Sequence, residues 1–554
     1  MKEKKLVIAI LILTIIIVSC SNRKGDVAHP DARYESTAVT LFSADNGDGT
    51  FTNPVIYADY SDPDVIRTGD DFYMIASSFN CVPGIPILHS RDLVNWEITG
   101  YALKRLVPAE HYSTVRHGGG SWAPCIRYHN NEYFIYFPDP DNGIYMIKAG
   151  KPEGPWSEPV LVKEGTGFID PSPLWDDDGK AYLVYAFAGS RAGVKSVLIV
   201  SRMNPEGTHV DDEGVMIFDG HDDNPTIEGP KFYKRNGYYY VFAPAGGVPM
   251  GWQLVLRSKN IFGPYEAKTV LHQGAADVNG PHQGAWITTP SGEDWFIHFQ
   301  DKGAYGRIVH LEPMKWLEDW PQIGVDIDND GIGEPVTSYK KPHVKITPAS
   351  HVEALNDEFN GSAPGLLWQW HANTSVKWGY SSGNMGFYRL NCIPKPHDYR
   401  NLWDASNLML QKLPAEEFTA TASVRFNLRF DGEEAGMVIM GRDYQYLSLK
   451  REEGKTFLRL VKCTGASEGG KEEILQNIEL PGKSLILRAK VEKGALCTFS
   501  YSLDGSQFNS LEGSFRASAG MWIGAKIGFF ALREGFINDG GGIDIDWFRI
   551  SKND

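Results

Sequence analysis

The sequence predicts an all-β protein in two parts, a five-bladed β-propeller followed by a jelly-roll-like β-sandwich. Three observations carry that expectation. A unit of roughly 50 residues, the length of a four-stranded blade, recurs five times in the first half. No stretch of helical period interrupts it. The second half then changes to cleanly alternating strands joined by hairpin turns.

Composition narrows the function classes. The chain has 54 basic and 69 acidic side chains in 554 residues, a net charge of −15, without the basic balance of a nucleic-acid binder. The 42% hydrophobic content sets disorder aside for most of the length. Its 15 Trp and 25 Tyr require large buried or ligand-facing surfaces.

At the start, Lys2, Lys4 and Lys5 precede an apolar run from Leu6 to Val18, the pattern of an export signal. The run is too short for a comfortable membrane span. Ile17-Val18-Ser19-Cys20 resembles the lipobox of bacterial lipoproteins, which implies cleavage before Cys20 and lipidation of that residue. An ordinary signal with an incidental cysteine is the alternative. Residues 1–20 are thus expected as a lipoprotein signal peptide and 21–50 as a tether. The expected protein is exported and held by lipid on the periplasmic side or surface of a bacterial membrane, its oligomeric state open. Cys81, Cys125, Cys392, Cys463 and Cys497 are odd in number and lack CxxC spacing, so they read as packing residues.

Residues 51–335 hold the repeat. Each copy has a polar or small start, a short strand, a turn and an aromatic-rich strand. Ser61-Asp62-Pro63-Asp64 leads to Phe72-Tyr73, Ser121-Trp122-Ala123-Pro124 to Tyr133-Phe134, and Ile169-Asp170-Pro171-Ser172 to Tyr182-Leu183. Ile227-Glu228-Gly229-Pro230 leads to Tyr239-Tyr240, and Pro281-His282-Gln283-Gly284 to Trp295-Phe296. Turn signals such as Asp178-Gly179 and Asn236-Gly237 stand between the paired strands. A linker over 336–354 contains Pro342 and Pro348, and 355–554 forms the sandwich. Its strands are expected at Phe418–Phe430, Gly436–Met440, Tyr446–Lys450, Phe457–Val461, Leu485–Val491, Leu496–Tyr501, Lys526–Ala531 and Ile543–Ile550.

In a propeller the innermost strand of each blade starts near the axis, so equivalent positions converge on one pocket. At that position the copies are read as carrying Asp62, Trp122, Asp170, Glu228 and His282. Crowded carboxylates repel one another, so some pKa values must move, and that divides acid from base roles at neutral pH. The alternative is that Asp-Pro and Glu-Gly-Pro are only turn formers.

The order Asp-Pro, Trp-Ala-Pro, Asp-Pro-Ser, Glu-Gly-Pro on five blades resembles glycoside hydrolase family 43, from about Asn53 to Glu334. Tyr60–Arg67, Leu88–Trp96 and Glu228–Tyr233 look like that family's signatures, and the sandwich resembles the concanavalin A-like domain of its β-xylosidase and α-L-arabinofuranosidase members. The resemblance implies Asp62 as general base, Glu228 as general acid and Asp170 as the residue that raises and orients the acid, with inversion at the anomeric carbon. It implies that Arg307 contacts the sugar and Trp122 stacks on it, with Phe79 walling the same pocket. His282 matches a histidine that in some members coordinates calcium or a central water; a neutral histidine satisfied by its neighbours is the other reading. Gly520-Met521-Trp522-Ile523-Gly524 resembles the sandwich loop that closes the pocket, with Met521 and Trp522 where those members place a Phe.

Asp326-x-Asp328-x-Asp330-Gly331 starts like a calcium loop, but its twelfth position is Thr337 rather than Glu, so it reads as a turn with calcium as the minority case. No cofactor is required for hydrolysis by paired carboxylates. The expected function is an inverting exo-glycosidase releasing terminal β-D-xylosyl or α-L-arabinofuranosyl residues from plant hemicellulose fragments. An exo-acting galactan hydrolase of the same family and a non-catalytic carbohydrate-binding surface lipoprotein are the alternatives. A binder has no need of three carboxylates at blade starts.

Overall fold

A computed structural model describes residues 41–345, 355–480, 482–536 and 538–553. The export signal, Cys20 and most of the expected tether lie outside the described residues. Five four-stranded antiparallel sheets follow one another in sequence, each built in chain order from axis to rim. Their innermost strands are Asp64–Thr68, Cys125–His129, Phe168–Trp175, Lys231–Arg235 and His282–Thr288. The first hairpins turn where the sequence signals them. Asn130-Asn131 and Asn236-Gly237 both hold two successive left-handed residues, the twist that a tight hairpin requires and that Asn and Gly tolerate.

The ring closes through the N-terminal segment. Val55 N–H donates to Val309 O at 2.8 Å, and the Asn53 side chain both donates to Leu311 O and accepts from Leu311 N–H. Thr50–Thr52 pairs antiparallel with Ser338–Lys340, burying Phe51 against Trp295. This corrects two boundaries. The tether does not reach residue 50, because Ala44 is buried and Thr50 begins a strand, and the linker does not begin at 336, because Ser338–Lys340 is a strand.

Below the axis, blades are tied by buried polar side chains. Asp64 accepts Ile126 N–H at 2.7 Å and an Arg127 guanidinium N–H at 2.8 Å, while Ser172 accepts Phe232 N–H at 3.0 Å and a second Arg127 N–H at 3.2 Å. Against the burial that pushes it up, Arg127 and Lys231 hold the Asp64 carboxyl below the usual range. Losing one member would leave a buried charge unpaired, which costs about 3–5 kcal/mol.

The sandwich consists of two eight-stranded sheets. One contains Met409–Lys412, Lys526–Arg533, Glu434–Met440, Tyr444–Glu452, Lys455–Cys463 and Glu472–Glu479; the other contains Tyr388–Asn391, Gly542–Ser551, Phe418–Phe426, Ser484–Glu492 and Leu496–Ser502. Alternation places Phe418, Ala420, Ala422 and Val424 inward against Met437, Leu447 and Phe529. The first expected strand ends at Phe426 rather than Phe430. Tyr57, Tyr305 and Ile308 of the propeller belong to the same buried cluster, and the Tyr305 hydroxyl donates to Glu416 O and accepts Ala495 N–H, each at 2.7 Å. Val82 and Trp370 exchange both backbone hydrogen bonds across this joint. The sandwich core thus extends into the propeller at this joint, while the blades keep buried clusters of their own.

Candidate active site

The blade starts align as Ser61-Asp62-Pro63, Trp122-Ala123-Pro124, Ile169-Asp170-Pro171, Glu228-Gly229-Pro230 and His282-Gln283-Gly284. The middle residue is left-handed in four of them, with φ of +56° at Asp62, +57° at Asp170, +62° at Gly229 and +36° at Gln283. The ladder slips at Ile169/Ser172 and at His282/Gly284. This corrects the expected single equivalent position. Asp62 and Asp170 occupy the middle position, whereas Trp122, Glu228 and His282 stand one residue earlier. The kinked backbone brings both positions to the axis, as bulges do when they re-aim a side chain.

There they line one cavity that opens to solvent. Its walls are Asp62, Phe79, Trp122, Ala123, Ile169, Asp170, Glu228, Val248, His282, Gln283, Arg307 and Trp522. Every expected catalytic and sugar-contacting side chain is among them. The Asp62 carboxylate accepts from Ser61 Oγ at 2.7 Å, Ser77 Oγ at 2.5 Å and Arg307 Nη1 at 3.2 Å. Asp170 is buried and accepts Gly229 N–H at 2.7 Å; burial raises its pKa and the charge of Asp62 adds to the rise. Glu228 opens only into the cavity, with its side chain 25% exposed. Burial first, then the charges of Asp170 and Asp62, push it well above the usual carboxylate range, against the pull of Arg307 and Lys195. Two carboxylates of one cavity thus stand in different surroundings, Asp62 among three donors and Glu228 raised by burial and by Asp170.

Aromatic side chains form the opposite wall. Phe79 meets Trp122 edge-on at 5.8 Å, and Trp122 meets Trp522 edge-on at 6.0 Å. Trp122 is anchored by its indole N–H on Gly118 O at 3.0 Å. A Cβ on Gly120 would lie 2.2 Å from Phe79 O, so only glycine lets the two segments approach. Trp522 comes from the sandwich.

Comparison with known proteins decides the family. Residues 51–321 match the model of glycosyl hydrolases family 43, and residues 356–551 match the β-xylosidase C-terminal concanavalin A-like domain. A Xylanibacter ruminicola protein, provisionally named a β-xylosidase, is 38% identical over 92% of each chain. The chain belongs to glycoside hydrolase family 43. A β-xylosidase of Formosa agariphila is 30% identical across 97% of this chain and 96% of its own. A non-reducing-end α-L-arabinofuranosidase of Bacteroides ovatus is 27% identical across 90% and 94%. The crystal structure of a family-43 protein from Bacillus licheniformis superposes with a TM-score of 0.77 at 27% identity, covering 91% of this chain and all of that one.

The remaining sites of this family-43 hydrolase separate cleanly. His282 lies with Nε2 3.4 Å from Glu228 Oε1, and burial, then the nearby Arg307 and His298, push it down to about 3, so it faces Glu228 as a neutral ring. Among the described residues no set of three His, Cys, Asp or Glu donors forms around it. The carboxylate oxygens of Asp326, Asp328 and Asp330 do lie within 4.8 Å of one another, away from the cavity lining. Met521 turns from the cavity to the sandwich, where Arg442 Nη2 approaches its sulfur at 3.2 Å. A second, open cavity shares Val248, Arg307 and Trp522 with the first and adds Asp301, Arg442 and the loop 518–523. The sequence reading missed Gln283, Ser61 and Ser77. Gln283 was findable, because it occupies the Asp position of the fifth copy; Ser77 was not, because it precedes no repeat mark.

Proposed function

We propose that this hydrolase is an inverting exo-glycosidase that removes terminal β-D-xylosyl or α-L-arabinofuranosyl units from hemicellulose fragments. Asp62 takes a proton from water as that water attacks the anomeric carbon. Glu228 gives its proton to the departing glycosidic oxygen, and Asp170 keeps Glu228 protonated until then. Inversion requires room for the water between base and acid, roughly 6.5–9.5 Å of carboxyl separation. Arg307 offers guanidinium donors to sugar hydroxyls beside Asp62, and Phe79, Trp122 and Trp522 pack on the ring. The second cavity receives the rest of the chain, which suits cleavage at an end.

The observation that carries this reading is the different setting of two carboxylates in one cavity, Asp62 held by Ser61, Ser77 and Arg307 and Glu228 raised by burial and by Asp170. Both sugars stay in the proposal because relatives of either name cover nearly the whole chain. Export with a lipid on Cys20 belongs to the proposal on the strength of the Leu6–Cys20 pattern alone.

The test is Glu228→Ala against wild type on xylo-oligosaccharides, arabinofuranosyl-bearing oligosaccharides and the two aryl glycosides. An aryl leaving group needs little protonation. Oligosaccharide turnover should fall by about 10²–10⁴-fold while aryl turnover is partly spared. Unchanged oligosaccharide turnover would sink the assignment, and no wild-type turnover of any pentoside would move the reading to another sugar.

A further inference from the structure

Asp59 takes no part in the chemistry above, yet it is 5% exposed and sits where the two parts of the molecule meet. Its two carboxylate oxygens are divided between them. Oδ1 accepts the backbone N–H of Arg307 at 2.9 Å, and Oδ2 accepts the backbone N–H of Gly524, from the sandwich, at 2.9 Å. The Asp59 carbonyl accepts a third donor, the Lys412 ammonium of the sandwich. Around this carboxylate the chains approach backbone to backbone. A Cβ on Gly306 would lie 2.4 Å from Asp59 Cγ, and a Cβ on Gly524 would lie 2.7 Å from Gly306 N. Ala525 N–H donates to Ala304 O at 2.7 Å beside them.

The two donors lead straight to the cavity. Arg307 carries the guanidinium that contacts Asp62, and Gly524 follows by two residues the Trp522 that closes the aromatic wall. A carboxylate held by charge-assisted bonds to two backbone N–H groups is a stiff joint, each such bond being roughly twice as strong as a neutral one. We propose that Asp59 is a positioning residue that locks the Trp522 loop of the sandwich to the Arg307 strand of the propeller, so that the sandwich is a working wall of the active site. The proposal rests on the active-site reading above for the role of Arg307 and Trp522, and on the geometry alone for the lock.

A purely structural role for Asp59 would lower stability and leave the site's rates intact below the melting temperature. The lock instead predicts coupling. Asp59→Ala, assayed well below its melting temperature, should lose about 10- to 100-fold in kcat/KM on oligosaccharides, the range expected when a catalytic constellation shifts by about 1 Å. Trp522→Ala should cost much less in the Asp59→Ala background than in wild type, because the loop is already free. Asp59→Asn keeps one oxygen acceptor and should fall between the two; it also serves where the alanine variant does not fold. A readout independent of substrate accompanies these. Acrylamide quenching attributable to Trp522, taken as the difference between each protein and its Trp522→Phe partner, should rise when Asp59 is replaced. Additive losses, or unchanged Trp522 quenching in both variants, would overturn the lock. Raised quenching in a protein whose wild type cleaves no pentoside would leave the lock standing and remove the sugar assignment.

Discussion

Glu228 and Asp170 are both raised by burial, but their surroundings assign them different work. Asp170 lines the cavity but is almost wholly buried, held by Gly229 N–H and the Gln283 side chain, so its charge acts on its neighbours. Glu228 opens into the cavity where a leaving oxygen would lie. The charge of Asp170 is the second cause of the rise at Glu228, after burial. Asp170→Asn keeps an oxygen for Gly229 N–H and removes that charge. The folded pKa of Glu228 then falls, so the acid loses its proton at a lower pH. The basic limb of the kcat/KM profile should therefore move to lower pH by about one unit. A pH–rate profile checks this, and a stationary basic limb would remove Asp170 from the acid's control.

At the scale of the strand, the site depends on a backbone that L-residues avoid. Asp62 and Asp170 are left-handed and each precedes a proline, which itself disfavours compact conformations in the residue before it. Blade four meets the same demand with Gly229, whose Cβ would lie 2.9 Å from the Gln283 side chain. Left-handed backbone costs an ordinary L-residue about 1–2 kcal/mol, a cost absent for glycine. Asp170→Gly should therefore melt at a higher temperature than Asp170→Ala, although both lose the carboxylate. Equal melting points would show that the strain is relieved elsewhere. The same conformation explains what the sequence made legible. Asp-Pro, Gly-Pro and Asn-Gly marks reveal the blades, and clean alternation reveals strands such as Ser484–Glu492. The one-residue offset between Asp62 and Glu228 is written in the prolines, Asp-Pro against Glu-Gly-Pro, but the left-handed backbone that brings both positions to the axis leaves no mark of residue type. Glu472–Glu479 also stays hidden, because its side chains lie mostly toward solvent and EEILQNIE lacks an apolar face. The Asp59–Gly524 joint joins positions 465 residues apart and leaves no local pattern at all.

Across the whole molecule, the propeller supplies the carboxylates and the sandwich supplies the far wall. The first cavity lies at the axis, and the second runs from it between Val248-Pro249, the loop 303–307 and the sandwich loop 518–523, with Trp522 standing between the two. Arg442 reaches the second cavity from the sandwich with an exposed guanidinium, and among the described residues no carboxylate lies in ion-pair contact with it. Its free donors face the space assigned to the sugars beyond the scissile bond. Arg442→Ala should raise KM for unactivated oligosaccharides by about fivefold, the loss of one hydrogen bond of about 1 kcal/mol. A glycosyl fluoride, which places no second sugar there, should change less. An equal change for both substrates would mean that Arg442 acts on the first cavity through the loop, and no change for either would remove the sandwich from leaving-group recognition. A selective rise is the outcome expected if the accessory domain reads the chain that remains after each terminal sugar is released.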